Sequence, residues 1–317
     1  MSALGEAADG KRAMLRLVVA MIAAASLAVG GEPGLFVFKG SDPAKVWQAG
    51  EDTGACRDAP FPKAQQDAVF SFDGLGGIRA SLAGIPQGQS GRGCMSYGTA
   101  GSHCTMQKSE IREIRFTAAT SGCFFGPRDP RNVWAAPLWI TPALWIPPQG
   151  RSGEIDFLER CGTDAGSGFA LNYGNSRDAD SDGTRPIPGQ TNIVVPLNAS
   201  QVSQRHTYVF SFDQAQDLIK TFVCPAGARQ VSANCSQFAP IHKGYFRRTK
   251  QQDPRANVMH FVSDIWNSQG ALAGGCTPSQ QSLQNRACSY EVYDIRVRKD
   301  APFSGACAVF NPAHLVE

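Results

Sequence analysis

The sequence of 317 residues carries 30 Lys and Arg against 27 Asp and Glu, a net charge of +3, and only 18% of its residues are charged. Because it has no dense basic run, this charge attracts a phosphate backbone only weakly, and we expect no nucleic-acid partner. The 33 Gly and 20 Pro predict many turns, and the length suits one large β domain with a single core.

The first 30 residues have the layout of a secretory signal peptide. A basic segment that ends at Arg16 precedes an apolar run, 17–29, of 13 residues. This run is shorter than the ~20 residues that a membrane-spanning helix needs, and Ser26 and Ala28 fit a cleavage site. The alternative is an uncleaved signal anchor, and only then do we expect association with a membrane. Both interpretations deliver the rest of the chain to an oxidising compartment. We expect a secreted, extracellular protein, with the cell wall or cell surface as alternative locations.

The segment 31–66 is poorly patterned, and we expect a linker or wrapping arm there, followed by one domain over 67–317. In that domain no helical periodicity extends over three turns, so we expect strands and no helices. In the last strand, Tyr293, Ile295 and Val297 are expected to face one way. About ten segments alternate with period two and predict an all-β sandwich or jelly roll. They are 69–73, 113–118, 137–146, 153–160, 169–173, 191–197, 206–213, 218–224, 258–266 and 290–298.

Ten cysteines, an even number, are spread along the chain. Because there is no Cys-x-x-Cys pair and no His at zinc-ligand spacing, disulfides are favoured over metal or redox roles. The sequons that begin at Asn198 and Asn234 fit a glycosylated, secreted protein. Loop length alone suggests the pairs Cys94–Cys104, Cys224–Cys235 and Cys276–Cys288.

Three acids, Glu154, Asp156 and Glu159, lie within six residues of a strand that is otherwise apolar. In a regular strand Glu154 and Asp156 share one face while Phe157 points into a packed layer, and Glu159 falls on the wrong face. A one-residue bulge near Phe157 and Leu158 would return Glu159 to the face of the other acids.

Crowded carboxylates suit a retaining glycosidase, which needs one ionised nucleophile and one protonated acid about 5–5.5 Å apart. The Cα atoms of Glu154 and Glu159 would lie about 13–17 Å apart, so the side chains must lean together over a curved strand. The residues alone leave two alternatives open: an edge strand with solvated acids, or a calcium-binding cluster.

The sequence from Glu154 to Glu159 resembles the E-[IL]-D-x-x-E signature of family 16 glycoside hydrolases, the group of laminarinases and β-1,3(4)-glucanases. Three further landmarks keep the order of that family over 65–300. Pro137-Leu-Trp-Ile140 resembles its W-P-A-F-W-M strand, His206-Thr-Tyr208 its H-T-Y strand start, and the segment 293–297 its terminal D-Y-V-R-V strand. The resemblance implies a concanavalin-like β-jelly roll of two curved antiparallel sheets with a sugar cleft on the concave face.

By this resemblance, Glu154 is the nucleophile, Glu159 the acid/base, and Asp156 the group that orients the nucleophile. It implies a secreted endo-glycosidase that acts with retention on β-1,3- or mixed β-1,3/1,4-glucans as a monomer, without cofactor or metal. Three positions depart from the family pattern: Gln149 and Asn172 replace a Trp and a His, and the first Trp of the W-P-A-F-W strand is Ala135 unless Trp134 is displaced by one residue. The alternatives are therefore a non-catalytic, lectin-like glucan-binding jelly roll, or a cell-wall transglycosylase that uses the same acids.

Aromatic and amide side chains near the acids are the candidate substrate-binding residues. An exposed indole in a cleft stacks on the apolar C–H face of a sugar, and each Trp has a core position as its alternative. Polar side chains beside them can hydrogen-bond sugar hydroxyls. The candidates are Trp134, Trp139, Trp145, Asn172, Asp264 and Trp266.

Overall fold

In the structure, which is a computed structural model, most of the described segments are strands of two antiparallel sheets. The described residues are 35–37, 47–49, 61–72, 77–99, 102–103, 106–107, 110–123, 125, 129–142, 155–160, 169–173, 192–195, 203–213, 215–216, 218–237, 258–267 and 280–300.

Sheet 1 has eight described strands. Along the sheet they are β15 (Ser236–Gln237), β14 (Leu218–Pro225), β13 (His206–Asp213), β8 (Ile111–Ser121), β17 (Ser289–Lys299), β4 (Ile78–Ser81) and β3 (Phe70–Phe72), and β1 (Leu35–Val37) also pairs with β17.

Sheet 2 has nine described strands. Their order is β12 (Asn192–Val195), β11 (Phe169–Tyr173), β10 (Ile155–Arg160), β9 (Trp134–Pro142), β16 (Val258–Trp266), β5 (Arg92–Thr99) and β2 (Trp47–Ala49), with β6 (Ser102–His103) paired to β5 and β7 (Met106–Gln107) to β16. The predicted all-β sandwich is confirmed.

The core lies between the sheets and is built from alternate residues of each strand. Phe157 of β10 is fully buried, and its ring centroid lies 4.5 Å from that of Phe210 and 6.0 Å from that of Phe116 in sheet 1. The Ser263 hydroxyl of sheet 2 and the Tyr290 hydroxyl of sheet 1 form a 2.7 Å hydrogen bond across the sandwich. Burying large aromatic groups contributes much of the stability of such a core.

Each of the ten predicted segments overlaps an observed strand, whereas several short strands, among them β4, and the longer strand β5 were not predicted. The sequence of β5 carries Gly93 and Gly98 and lacks clear alternation. Gly93 is needed for close packing, since a Cβ at this position would lie 2.8 Å from Cγ1 of Val69. Tertiary packing therefore selects this strand although its local β propensity is weak.

The prediction that the domain has no helices is wrong. Helix α1 (Lys63–Val69) begins after Pro62, and a second short helix, α2, spans Gln280–Gln284. Both are too short to show periodicity over three turns, which is why the sequence pattern did not reveal them. Helix α1 buries Gln66 and Val69, one face at i and i+3. Within the described ranges, no helix combines the length and apolar character needed to cross a membrane.

The expectation that Tyr293 faces the same way as Ile295 and Val297 is wrong. The register between β17 and β8 shifts between Tyr293 and Arg296, and Asp294 adopts a left-handed φ of 54°. This bulge adds one residue, so Ile295 and Val297 remain in the core while Tyr293 moves to the outer face.

Two disulfides join described residues. Cys224 is bonded to Cys235, as predicted, and Cys123 is bonded to Cys288, which overturns the predicted pair Cys276–Cys288. The nearest-neighbour rule failed because antiparallel pairing of β8 with β17 places Ser121 opposite Ser289, beside these distant cysteines. Cys94 is also disulfide-bonded, and its predicted partner Cys104 lies outside the described residues.

The predicted boundary of the domain near residue 66 falls inside helix α1. The preceding segment, 31–66, contributes β1 to sheet 1 and β2 to sheet 2. The signal segment 1–30 lies outside the described residues.

Candidate active site

The face of sheet 2 that points away from the core carries a row of paired positions, and we call it the site face. Asp156 of β10 pairs with Trp139 on one side and with Asn172 on the other. Trp139 pairs in turn with Val262, which lies on the site face in a buried cluster with Ala136 and Cys94. Three predicted site positions therefore occupy adjacent strands at one level of the sheet.

A β-bulge in β10 brings the position of Glu159 to the site face. Asp156 pairs with Asn172 and Glu159 pairs with Ala170, so β10 contains one more residue than β11 between these two pairs. Because Asn172 and Ala170 are two residues apart on a regular strand, positions 156 and 159 share a face. The predicted bulge is confirmed. Glu154 lies outside the described residues.

A second bulge lies at the same level in β9, where proline replaces a ladder donor. Val262 pairs with Trp139 and Asp264 pairs with Ala136, so β9 also has one extra residue. Leu138 belongs to the core and Ala136 to the site face, which leaves Pro137 as the inserted residue. A bulge is where a central strand tolerates proline.

The bulge in β9 compensates the bulge in β10. Asp156 pairs with Trp139 and Arg160 with Ala135, so both strands advance equally between these two pairs. The inserted residue also moves Trp134 back by one position, to a pair with Trp266 on the site face. This displacement is the one that the resemblance required if Trp134 was to replace the first Trp of the family strand.

A buried ion pair lies on the site face next to these tryptophans. The guanidinium of Arg92 donates from Nε and Nη2 to Oδ2 of Asp264, with an Nε–Oδ2 distance of 3.0 Å. The side chains of both residues are only 1% exposed. Removing two charges from water costs several kcal/mol per ion, so this pair depends on its partners being in place.

Two indole rings contact the guanidinium from neighbouring positions. The Arg92 Cζ lies 4.7 Å from the ring centroid of Trp266 and 5.6 Å from that of Trp134, and the two rings are 5.0 Å apart. Cation–π attraction is strongest when the cation is desolvated, as it is here. Trp266 is 4% exposed and Trp134 is half-buried. In the described part of the molecule, the indole Nε1 of each is buried without a hydrogen-bond acceptor.

Helix α1 holds the strand that carries Arg92. The Gln66 amide donates to the Arg92 carbonyl oxygen at 2.9 Å and accepts the Cys94 backbone N–H at 3.1 Å. Its side chain thereby replaces a neighbouring strand at the edge of β5. Asn267 fixes the preceding loop, since its Oδ1 accepts the Gly91 N–H at 3.1 Å.

Arg92 and Gln66 are site elements that the sequence reasoning missed. The available signal for Arg92 was a lone cation between two glycines in a chain with few charges. Trp145 lies outside the described residues, and for Trp139, Asp156, Glu159 and Asn172 the structure gives strand register. Among the described residues, no three His, Cys, Asp or Glu side chains cluster as a metal site would require.

Comparisons by sequence and by structure differ in outcome. No protein-family model matches the chain, and no curated protein matches it by sequence. Among solved structures, a laminarinase from Flavobacterium sp. UMI-01 matches with a TM-score of 0.50 and 14% identity, over 83% of this chain and 98% of that chain. The laminarinase catalytic domain from Thermotoga maritima MSB8 matches with a TM-score of 0.46 and 12% identity, over 82% and 93% of the two chains.

The similarity to the Flavobacterium enzyme shows the fold. The chain has a jelly roll like that of family 16 glycoside hydrolases, as the resemblance of the sequence implied.

Proposed function

We propose that this protein is a secreted, retaining endo-glycosidase that hydrolyses β-1,3- or mixed β-1,3/1,4-glucans. The observation that carries the proposal is the bulge in β10, which brings positions 156 and 159 to one face in register with Trp139 and Asn172. A strand with solvated acids has no need for this bulge, whereas bulges beside active sites re-aim side chains. The disulfides support an oxidising, extracellular location.

The proposed reaction has two steps. The Glu154 carboxylate attacks the anomeric carbon while Glu159 donates its proton to the leaving glycosidic oxygen, which gives a glycosyl ester on Glu154 and a free chain end. Glu159, now ionised, takes a proton from water while the water oxygen attacks the anomeric carbon. Glu154 leaves as a carboxylate, so both acids return to their starting states. Two inversions at one carbon give retention.

Asp156 is proposed to orient Glu154 and to help set the protonation of the acids. Carboxylates that share one face repel each other, so one of them retains its proton at higher pH than an isolated acid. This repulsion favours the protonated Glu159 and ionised Glu154 that the first step requires.

The site face is proposed to bind the glucan chain on both sides of the acids. Trp134 and Trp139 would stack on sugar faces, and Trp145 and Asn172 would line the same cleft. The Asn172 amide would form hydrogen bonds with sugar hydroxyls. The indole N–H of Trp134, which has no acceptor among the described residues, would donate to a sugar oxygen.

A glucan-binding protein without hydrolytic activity is the second candidate. The observation in its favour is the burial of Asp264 and Trp266, two predicted sugar contacts. Asp264 accepts hydrogen bonds from Arg92, and the Trp266 ring packs on the Arg92 guanidinium. A cleft with fewer accessible contacts can bind glucan without holding it for attack. A transglycosylase shares the first step, with a sugar hydroxyl in place of water in the second.

Release of reducing ends from laminarin and from a mixed-linkage glucan tests the proposal. We expect release by the wild type, loss of about 1,000-fold or more in Glu154→Ala, and wild-type release by Asp213→Asn, a control acid on sheet 1. Background release by both the wild type and Glu154→Ala, with retained glucan binding, would support the second candidate and exclude hydrolysis. Longer oligosaccharides in place of new reducing ends would identify transglycosylation.

A further inference from the structure

A groove on sheet 1 lies on the opposite sheet from the acids. It has a volume of about 290 Å³, near the lower end of small-molecule sites, and is lined by residues of β3, β4 and β17 together with the residue before β13. The side chains that matter here are Ser71, Phe72, Arg79, Arg205, Glu291 and Tyr293.

The backbone is shaped to place an aromatic ring in this groove. The left-handed conformation of Asp294, with φ of 54°, creates the bulge that turns Tyr293 out of the core. Such a conformation is unfavourable for a residue with a side chain, and strand bulges are frequent where a side chain is re-aimed for binding. Phe72 lines one end of the groove, and its side chain packs against the core.

The groove has an excess of positive charge. Arg205 pairs with Glu291 through an Nε–Oε1 distance of 2.6 Å, and its Cζ lies 5.1 Å from the ring centroid of Tyr293. Arg79 is exposed on the neighbouring strand, where its Cα pairs with that of Glu291. Its guanidinium has no ion-pair partner among the described residues. Two cations and one anion therefore leave one positive charge for a ligand.

We propose that this groove binds an acidic carbohydrate chain, whose carboxylate or sulfate group pairs with Arg79 while the C–H face of the sugar packs on Tyr293. A guanidinium forms two parallel hydrogen bonds to a planar carboxylate or to sulfate oxygens. An aromatic surface beside it binds the apolar side of the ring. The Arg205–Glu291 pair offers further donors and acceptors to hydroxyls. The groove thereby anchors the protein to an acidic polysaccharide independently of the acids on sheet 2.

Affinity electrophoresis of the full chain tests this inference, with gels that contain polygalacturonate, a sulfated galactan or neutral laminarin. We expect retardation by at least one acidic polymer and weakening of that binding as salt rises. Arg79→Gln should lower affinity for it about tenfold or more, since hydrogen bonds to charged groups are the strong ones. Binding to polygalacturonate alone would identify the carboxylate as the recognised group, and binding to the galactan alone would identify the sulfate.

The matched control is Lys220→Gln, which removes one partly exposed charge from β14 of the same sheet outside the groove. It should bind as the wild type, as should Glu154→Ala, which separates this site from the proposed hydrolysis. Tyr293→Ala, checked for folding by circular dichroism, should also weaken binding. No retention by either acidic polymer, or equal weakening by Arg79→Gln and Lys220→Gln, would overturn the proposal.

Discussion

Removal of the Asp264 carboxylate should destabilise the protein strongly. In Asp264→Ala, Arg92 stays buried beside two indole rings without the carboxylate that accepts its Nε–H and Nη2–H. Breaking a buried pair in this way costs about 3–5 kcal/mol. At roughly 2–4 °C per kcal/mol, the melting temperature should fall by about 6–20 °C.

Urea unfolding at pH 7, followed by tryptophan fluorescence, measures this effect. The double variant Arg92→Met/Asp264→Leu should recover most of the lost stability, because it replaces both charges with apolar groups of similar volume. Arg131→Ala is the surface control: its partner is Asp129, its side chain is 53% exposed, and no measurable change is expected. A single variant Asp264→Ala within 1 kcal/mol of the wild type, or a double variant as unstable as the single one, would refute the reasoning.

Three further predictions concern stability. Burial raises the pKa of Tyr290 well above its usual value, so the stability that neutral Tyr290 contributes is complete below about pH 10 and is lost as pH rises further. Absorbance at 295 nm should therefore show this tyrosine ionising only with unfolding, and its ionisation in the folded state at pH 10 would contradict the structure. Replacing Cys123 and Cys288 by alanine should lower the free energy of unfolding by up to about 5 kcal/mol, since the bond closes a 165-residue separation, and an unchanged urea midpoint would count against it. Phe157→Ala should cost about 3–5 kcal/mol in the same assay, because its ring fills the core beside Phe210, whereas a loss below 1 kcal/mol would place this ring outside the core.

The elements that the sequence predicted are those with strong local patterns. Strand β13 alternates clearly over 206–213 and is observed with these bounds. The bulge in β10 followed from the spacing of Asp156 and Glu159, because the resemblance required both acids on one face while a regular strand separates them. Local spacing was sufficient in both cases.

Features that depend on tertiary packing were missed. Strand β5 carries a glycine at position 93 because Val69 of helix α1 packs closely on it, and neither element shows a periodic pattern. Arg92 becomes a site residue only when β5 pairs with β16, which brings it to Asp264. The outward position of Tyr293 depends on one left-handed residue, Asp294, that alternation alone cannot predict.

The stereochemistry of the first product tests the proposed function most directly. Proton NMR during hydrolysis of a laminarin oligosaccharide follows the anomeric signal of the new reducing end before mutarotation. Attack by Glu154 followed by water predicts that the β-anomer appears first. If the α-anomer appears first, the covalent intermediate on Glu154 is excluded, and if no reducing end forms while the oligosaccharide binds, the protein is a glucan-binding jelly roll.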